Sequence, residues 1–153
     1  MRSLAFLAFA ISFASEAYAA EPGPADRQQL MQLAEQMDHA WTAGDAEANA
    51  QLFAVDATAR FGNDRLASGR EEILAQFQGF FNDRRQGLRH VTKIERVERL
   101  NHELAMWDAE VRVEGQRPPG QWVTLTTIRN VTIAARQREG WRIKSVRAFP
   151  VSP

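Results

Sequence analysis

Apolar residues first recur along this chain with the spacing of a helix. Leu30, Leu33, Ala34, Met37 and Trp41 stand at i, i+3, i+4, i+7 and i+11, one face of a helix that Asp26 is placed to cap. Gly44 supplies the left-handed position that ends it. Asp45 is then placed to cap a second, shorter helix ending at residues 52–56, with Glu47 in its first turn favoured by the helix dipole. Residues 57–61 have the character of a short strand, and Gly62-Asn63-Asp64 reads as a turn. Ser68-Gly69-Arg70-Glu71 reads as a capping box opening a third helix, whose face is Ile73, Leu74, Phe77, Phe80 and Phe81 and whose end is Asn82-Asp83.

From there the period changes to two. Residues 90–100, 104–114, 121–136 and 141–149 read as four strands with short links, which means an antiparallel meander. The predicted order is ααβαββββ, an α+β fold with helices packed on one face of a curved sheet. In the second long strand Ala105, Trp107, Ala109, Val111 and Val113 share the face expected to meet the helices, which turns Asp108 and Glu110 to the other side. In the third, Val123, Leu125, Thr127, Arg129, Val131 and Ile133 form the apolar row, which places Arg129 among inward positions and Trp122 on the outer face. In the last strand Trp141 and Ile143 are out of step with Val146 and Ala148, so a bulge is expected near Ser145.

The first twenty residues stand apart from this pattern. Arg2, an apolar run over residues 4–15 and Ala17-Tyr18-Ala19 make a signal peptide ending near Ala19 or Ala20, and so a secreted or periplasmic protein. The run stops at Glu16, short of the roughly 20 apolar residues a membrane helix needs, so no membrane contact is expected after cleavage. Residues 21–25 read as a loose leader, 26–149 as one domain and 150–153 as a tail. Without Arg2 and Glu16, basic and acidic residues balance at one fewer than the full chain's 19 of each, which argues against nucleic acid as a partner. The absence of cysteine excludes thiol nucleophiles, thiolate zinc sites and disulfides.

Four motifs in this order resemble a known family. Trp41-Thr42-Ala43-Gly44-Asp45, the run from Leu52 to Thr58, Gly69-Arg70-Glu71-Glu72-Ile73 and Gly140-Trp141-Arg142-Ile143 are similar to the nuclear transport factor 2-like superfamily, nearest its SnoaL-like group of the SgcJ/EcaC type. The resemblance covers about residues 26–149. It implies a cone, in which a curved antiparallel sheet wraps around three helices and leaves an apolar pocket at the open end, and it implies dimers. The superfamily holds enzymes and non-enzymatic binding modules alike, so function rests on the site residues. The ketosteroid isomerase pattern would place its base at Phe61, its helix tyrosine at Met37 and its late-strand aspartate at about Thr132, and none of these side chains can do that chemistry.

What remains for chemistry is short. His90 is in phase with Thr92 and Ile94, and an imidazole suits acid–base work; a hydrogen-bonded structural histidine at the pocket rim is the competing reading. Asp38 lies one position off the helix stripe, at the edge bordering the sheet and within reach of His90 or Arg129, as a functional carboxylate or an ordinary surface acid. Arg129 would hold an anionic or carbonyl group of a ligand, or else sit in an internal ion pair or reach solvent from a strand end. Trp41, Phe61, Phe77 and Trp107 are core and pocket-lining candidates. His39, His90 and His102 lack metal-ligand spacing, so no metal is expected; with no nucleotide or dinucleotide fingerprint, no cofactor is expected either.

These readings lead first to an exported domain binding a small hydrophobic molecule, with or without catalysis. The alternative is a cofactor-independent lyase, cyclase or isomerase using His90 and Asp38, which requires those two side chains to face each other across the cavity, directly or through a water. A third is a scaffold that forms a homodimer through its outer sheet face, with Met106, Thr124 and Ile128 as apolar surface.

Overall fold

Pro24 opens the first helix because its fixed φ suits the first helical position, where its missing N–H would have no partner in any case. The computed structural model describes residues 21–118 and 120–151; the signal peptide reading lies on residues 1–20, outside them. Helix α1 is Pro24–Ala43, with Gly23 as N-cap. Asp26 is therefore not a cap: it sits in the first turn, where it pairs with Arg136. The leader is also shorter than expected, since Pro24 and Ala25 are helical and Pro22 is buried. Leu30, Leu33, Ala34 and Trp41 are buried as their spacing predicts. Gly44 ends the helix at φ 73°, and its N–H donates to the Trp41 carbonyl at 3.0 Å.

Asp45 caps α2, Ala46–Gln51, by accepting the Ala48 N–H at 2.8 Å. That helix stops before the expected residues 52–56, because Phe53 already begins strand β1, Phe53–Phe61. A short apolar run has no periodicity of its own that separates helix from strand, and here pairing with the last strand decides it. A two-residue strand β2, Ala67–Ser68, pairs with β1 and has no counterpart in the expected order. The capping box also differs: Gly69 is the N-cap of α3, Arg70–Asp83, without a side-chain cap, and the Glu72 carboxylate accepts the Ser68 N–H at 3.0 Å. Arg70 ties α3 to β1 by donating to the Phe53 carbonyl from Nη2 at 2.6 Å.

Strands β3, Leu88–Arg99, β4, Leu104–Gln116, β5, Trp122–Gln137, and β6, Gly140–Pro150, form the antiparallel meander. The sheet order is β2-β1-β6-β5-β4-β3, with β1 parallel to β6, a mixed edge the antiparallel expectation lacks. The fold is thus α+β, three helices on a curved open six-stranded sheet, with order ααββαββββ. The expected tail at residue 150 is instead strand end: Pro150 closes β6, and the Val151 N–H donates to the Thr127 carbonyl at 2.8 Å.

The β4 row of Ala105, Trp107, Ala109, Val111 and Val113 is buried against the helices. Directly paired residues share a face, and β5 sets Thr126, Ile128, Asn130 and Thr132 opposite Val113, Val111, Ala109 and Trp107. The inward row of β5 is therefore the more polar one, the reverse of the expected assignment. Arg129 and Val131 lie outside, opposite Glu110 and Asp108, and Leu125 is the extra residue of a bulge opposite the Val113–Glu114 step. Ile128 faces inward and cannot belong to an outer apolar surface. In β6 the bulge falls where expected, with Lys144 unpaired between Ile143 and Ser145.

Candidate active site

Helix α1 presents Asp38 beside the stripe that packs on the sheet, and β3 brings His90 and Thr92 to the same place from one strand face. Asp38 Oδ1 and His90 Nδ1 are 2.6 Å apart. The Thr92 N–H donates to Asp38 Oδ2 at 2.7 Å, and the Thr92 hydroxyl donates to Oδ1 at 2.7 Å. Burial pushes the Asp38 carboxyl up, but the hydrogen bonds from His90 and Thr92 and the charge of His90 outweigh it, and its pKa lies below the ordinary aspartate value. A carboxylate held ionised in this way fixes the proton of the imidazole on Nδ1. His90 Nε2, the remaining nitrogen, makes no hydrogen bond to another described residue.

The ring is held in place by its neighbours. It packs on Trp41 with centroids 4.9 Å apart and an interplanar angle of 31°, and its backbone N–H donates to the Thr42 hydroxyl at 3.1 Å. Arg84 fastens that corner from behind, donating to the Trp41 carbonyl at 2.6 Å and the Thr42 carbonyl at 3.1 Å while its guanidinium lies 4.8 Å from the Trp41 ring centroid. Burial pushes the Arg84 pKa down from the ordinary guanidinium value.

His90 and Thr92 open onto a cavity of about 280 Å³ between the helices and the sheet. Trp41, Phe61, Phe77 and Trp107 line it, as their positions in the pattern predict, together with Phe53 and Phe80. Asp38 stands behind His90 and is not itself a wall residue. Arg129 is the correction: it projects from the outer face, where it pairs with Glu95 at 2.6 Å and Glu110 at 3.3 Å, and these partners raise its pKa. A guanidinium on the far side of the sheet has no contact with the cavity, and of the apolar row around it Leu125 and Val131 are exposed.

Several polar wall residues were not singled out by the pattern. Asn130 and Thr132 come from the β5 row whose phase was inverted, Gln76 from α3 next to Phe77, and Asp64 from the turn after β1. The correct β5 phase would have exposed the first two; nothing in the periodicity marks Gln76 or Asp64. Met37, Phe61 and Thr132, the positions corresponding to the ketosteroid isomerase triad, all line the cavity without offering a titratable group. Among the described residues, no three His, Cys, Asp or Glu side chains are grouped to hold a metal.

A family model described as SnoaL-like domain matches residues 24–147. Among solved structures, a domain of unknown function with a cystatin-like fold from Nostoc punctiforme is 25% identical with a TM-score of 0.75, over 86% of this chain and 81% of its own. An NTF2-like protein with a cystatin-like fold from Novosphingobium aromaticivorans is 20% identical with a TM-score of 0.70, over 84% of this chain and 83% of its own. A ketosteroid isomerase-like protein from Erwinia carotovora is 12% identical with a TM-score of 0.70, over 86% of this chain and all (100%) of its own. No curated protein matches the chain significantly.

Proposed function

The chain belongs to the SnoaL-like domain family of the NTF2-like superfamily, and on that premise we propose that it is a cofactor-independent acid–base enzyme acting on a small apolar molecule in its cavity. The observation that carries this reading is the 2.6 Å pairing of Asp38 Oδ1 with His90 Nδ1, which sets the imidazole in the wall of a chamber lined mostly by apolar side chains. Asp38 holds the tautomer and stabilises the imidazolium that forms, while His90 Nε2 removes a proton from carbon. The electron pair released then forms a new double bond as a leaving group departs, or returns to a different carbon with the proton. A base of this kind gains from a water-excluding site, where its charge interactions are stronger than in solution.

The test uses 5-nitrobenzisoxazole, an apolar compound whose ring opens when one base removes its carbon-bound proton, breaking the N–O bond to give a phenolate. The protein should accelerate that opening, and His90→Gln and Asp38→Asn should each lose at least about tenfold of the acceleration. Equal rates for the parent protein and His90→Gln would overturn the assignment.

A second reading has its own support. Most of the cavity-lining residues are apolar or neutral, His90 and Asp64 being the exceptions, so a binding module without turnover accounts for the chamber with fewer parts. Export by residues 1–20 and pairing of two copies through the outer sheet face complete the proposal; N-terminal sequencing of exported protein and sedimentation are their respective checks.

A further inference from the structure

The cavity wall carries acceptors without a partner. Gln76 Nε2 donates to the Arg65 carbonyl at 2.8 Å, which fixes the orientation of the amide, because only its nitrogen end can serve a carbonyl. Gln76 Oε1 is buried and has no hydrogen-bond partner among the described residues. Such an oxygen costs free energy unless a donor reaches it. Asn130 Oδ1 is also buried and unpartnered on the same wall, and neither end of that amide has a partner among the described residues, so it serves whatever group a ligand presents. His90 Nε2 is an acceptor as long as Asp38 keeps the proton on Nδ1. Asp64, exposed on its turn, adds a carboxyl, and among the described residues no Lys or Arg lines the cavity.

We propose that this cavity selects neutral apolar molecules carrying a hydroxyl or N–H donor, seated on Gln76 Oε1, and rejects carboxylates. The inference rests on the reading of the cavity as a small-molecule site and names the chemical class it takes. An apolar body fills the aromatic walls, its donor satisfies the orphan oxygen, and an anionic group would lose its hydration beside Asp64 with no lysine or arginine among the lining residues to offset the charge. A hydrogen-bond donor missing from the ligand leaves Gln76 Oε1 unpaired, which is why discrimination by a polar contact exceeds that by a methylene.

The experiment titrates the protein with three probes of one shape: naphthalene, 2-naphthol and 2-naphthoate. The expected order is 2-naphthol about tenfold tighter than naphthalene, with 2-naphthoate at least about tenfold weaker than 2-naphthol. Gln76→Met, close in shape but without the amide, should bring 2-naphthol to the level of naphthalene. Asp64→Asn lies on an exposed turn where folding is not at stake, and it should strengthen 2-naphthoate severalfold while leaving 2-naphthol within about twofold. Equal binding of naphthalene and 2-naphthol, or a preference that survives Gln76→Met, overturns the inference and leaves the cavity reading intact. Failure of all three probes to bind overturns both.

Discussion

Strands β4 and β5 lie side by side, alternate with the same period and obey opposite rules. In β4 the apolar row of Ala105, Trp107, Ala109, Val111 and Val113 faces the helices, and the charged row faces out. In β5 the inward row is Thr126, Ile128, Asn130 and Thr132, while Val131 is 41% exposed on the outer face. Both strands floor the same cone. Ala105 and Ala109 of β4 fit against side chains, where water is squeezed out and hydrophobicity is required. Trp107, Val111 and Val113 share the chamber wall with the β5 row, and there hydroxyls and amides are tolerated beside apolar side chains because a ligand or water can reach them. Apolar alternation thus reports tight packing, and beside a chamber it no longer has to mark the inward face.

The comparison can be broken at its strongest point first. Trp107→Ala should cost about 3–5 kcal/mol in urea unfolding, and Val131→Ala under about 1 kcal/mol at low protein concentration. A comparable cost for both would mean that the outer row of β5 is packed after all, and a cost for Val131→Ala that grows with protein concentration would locate the packing between two copies. Next comes the edge of the chamber. Asp38→Asn should lose about 1–3 kcal/mol at neutral pH, because it removes charge-assisted hydrogen bonds from His90 and Thr92. The sign of its pH dependence is set by a pKa lowered on folding: the stabilisation is full above the unfolded value of about 3.9 and vanishes as pH falls through the lower folded value. The gap between the parent protein and Asp38→Asn should therefore close in acid; a gap that persists at the lowest pH would remove ionisation as its cause. The smallest effect belongs to Arg129→Leu, which breaks exposed ion pairs with Glu95 and Glu110 and should leave the urea midpoint nearly unchanged. Its binding of 2-naphthol should match that of the parent protein, and a loss there would return Arg129 to the site.

What could be read in advance follows the same division. The α1 stripe from Leu30 to Trp41, the Gly44 stop, the Asp45 cap and the four long strands are strong local signals, because each satisfies its own backbone or buries its own face. The pairing of Asp38 with His90 is legible as a helix-edge carboxylate within reach of a strand-start imidazole, and the two meet directly at 2.6 Å, with the carboxylate behind the cavity wall and not across it. The position of Arg129 is not legible in the same way, because strand register and the bulge at Leu125 decide which face its row takes through partners far away in the chain. Strand β1 was cut short for the same reason: Phe53 is extended because Ile143 stands beside it, about ninety residues away, and no local pattern records that neighbour. Gln76 became visible only once its Nε2 was seen to be occupied by Arg65.

The parallel seam between β1 and β6 also sets a timetable. Apart from the two-residue β2, β1 has no sheet partner among the described residues other than β6, whose strand begins at Gly140. The early part of the domain must therefore wait for nearly all of the remaining chain before its edge can close. Such long-range closure slows folding relative to local helix pairing. A nascent chain of this design leaves the ribosome with its first strand still searching, and the cone becomes a single cooperative object only when its last strand arrives.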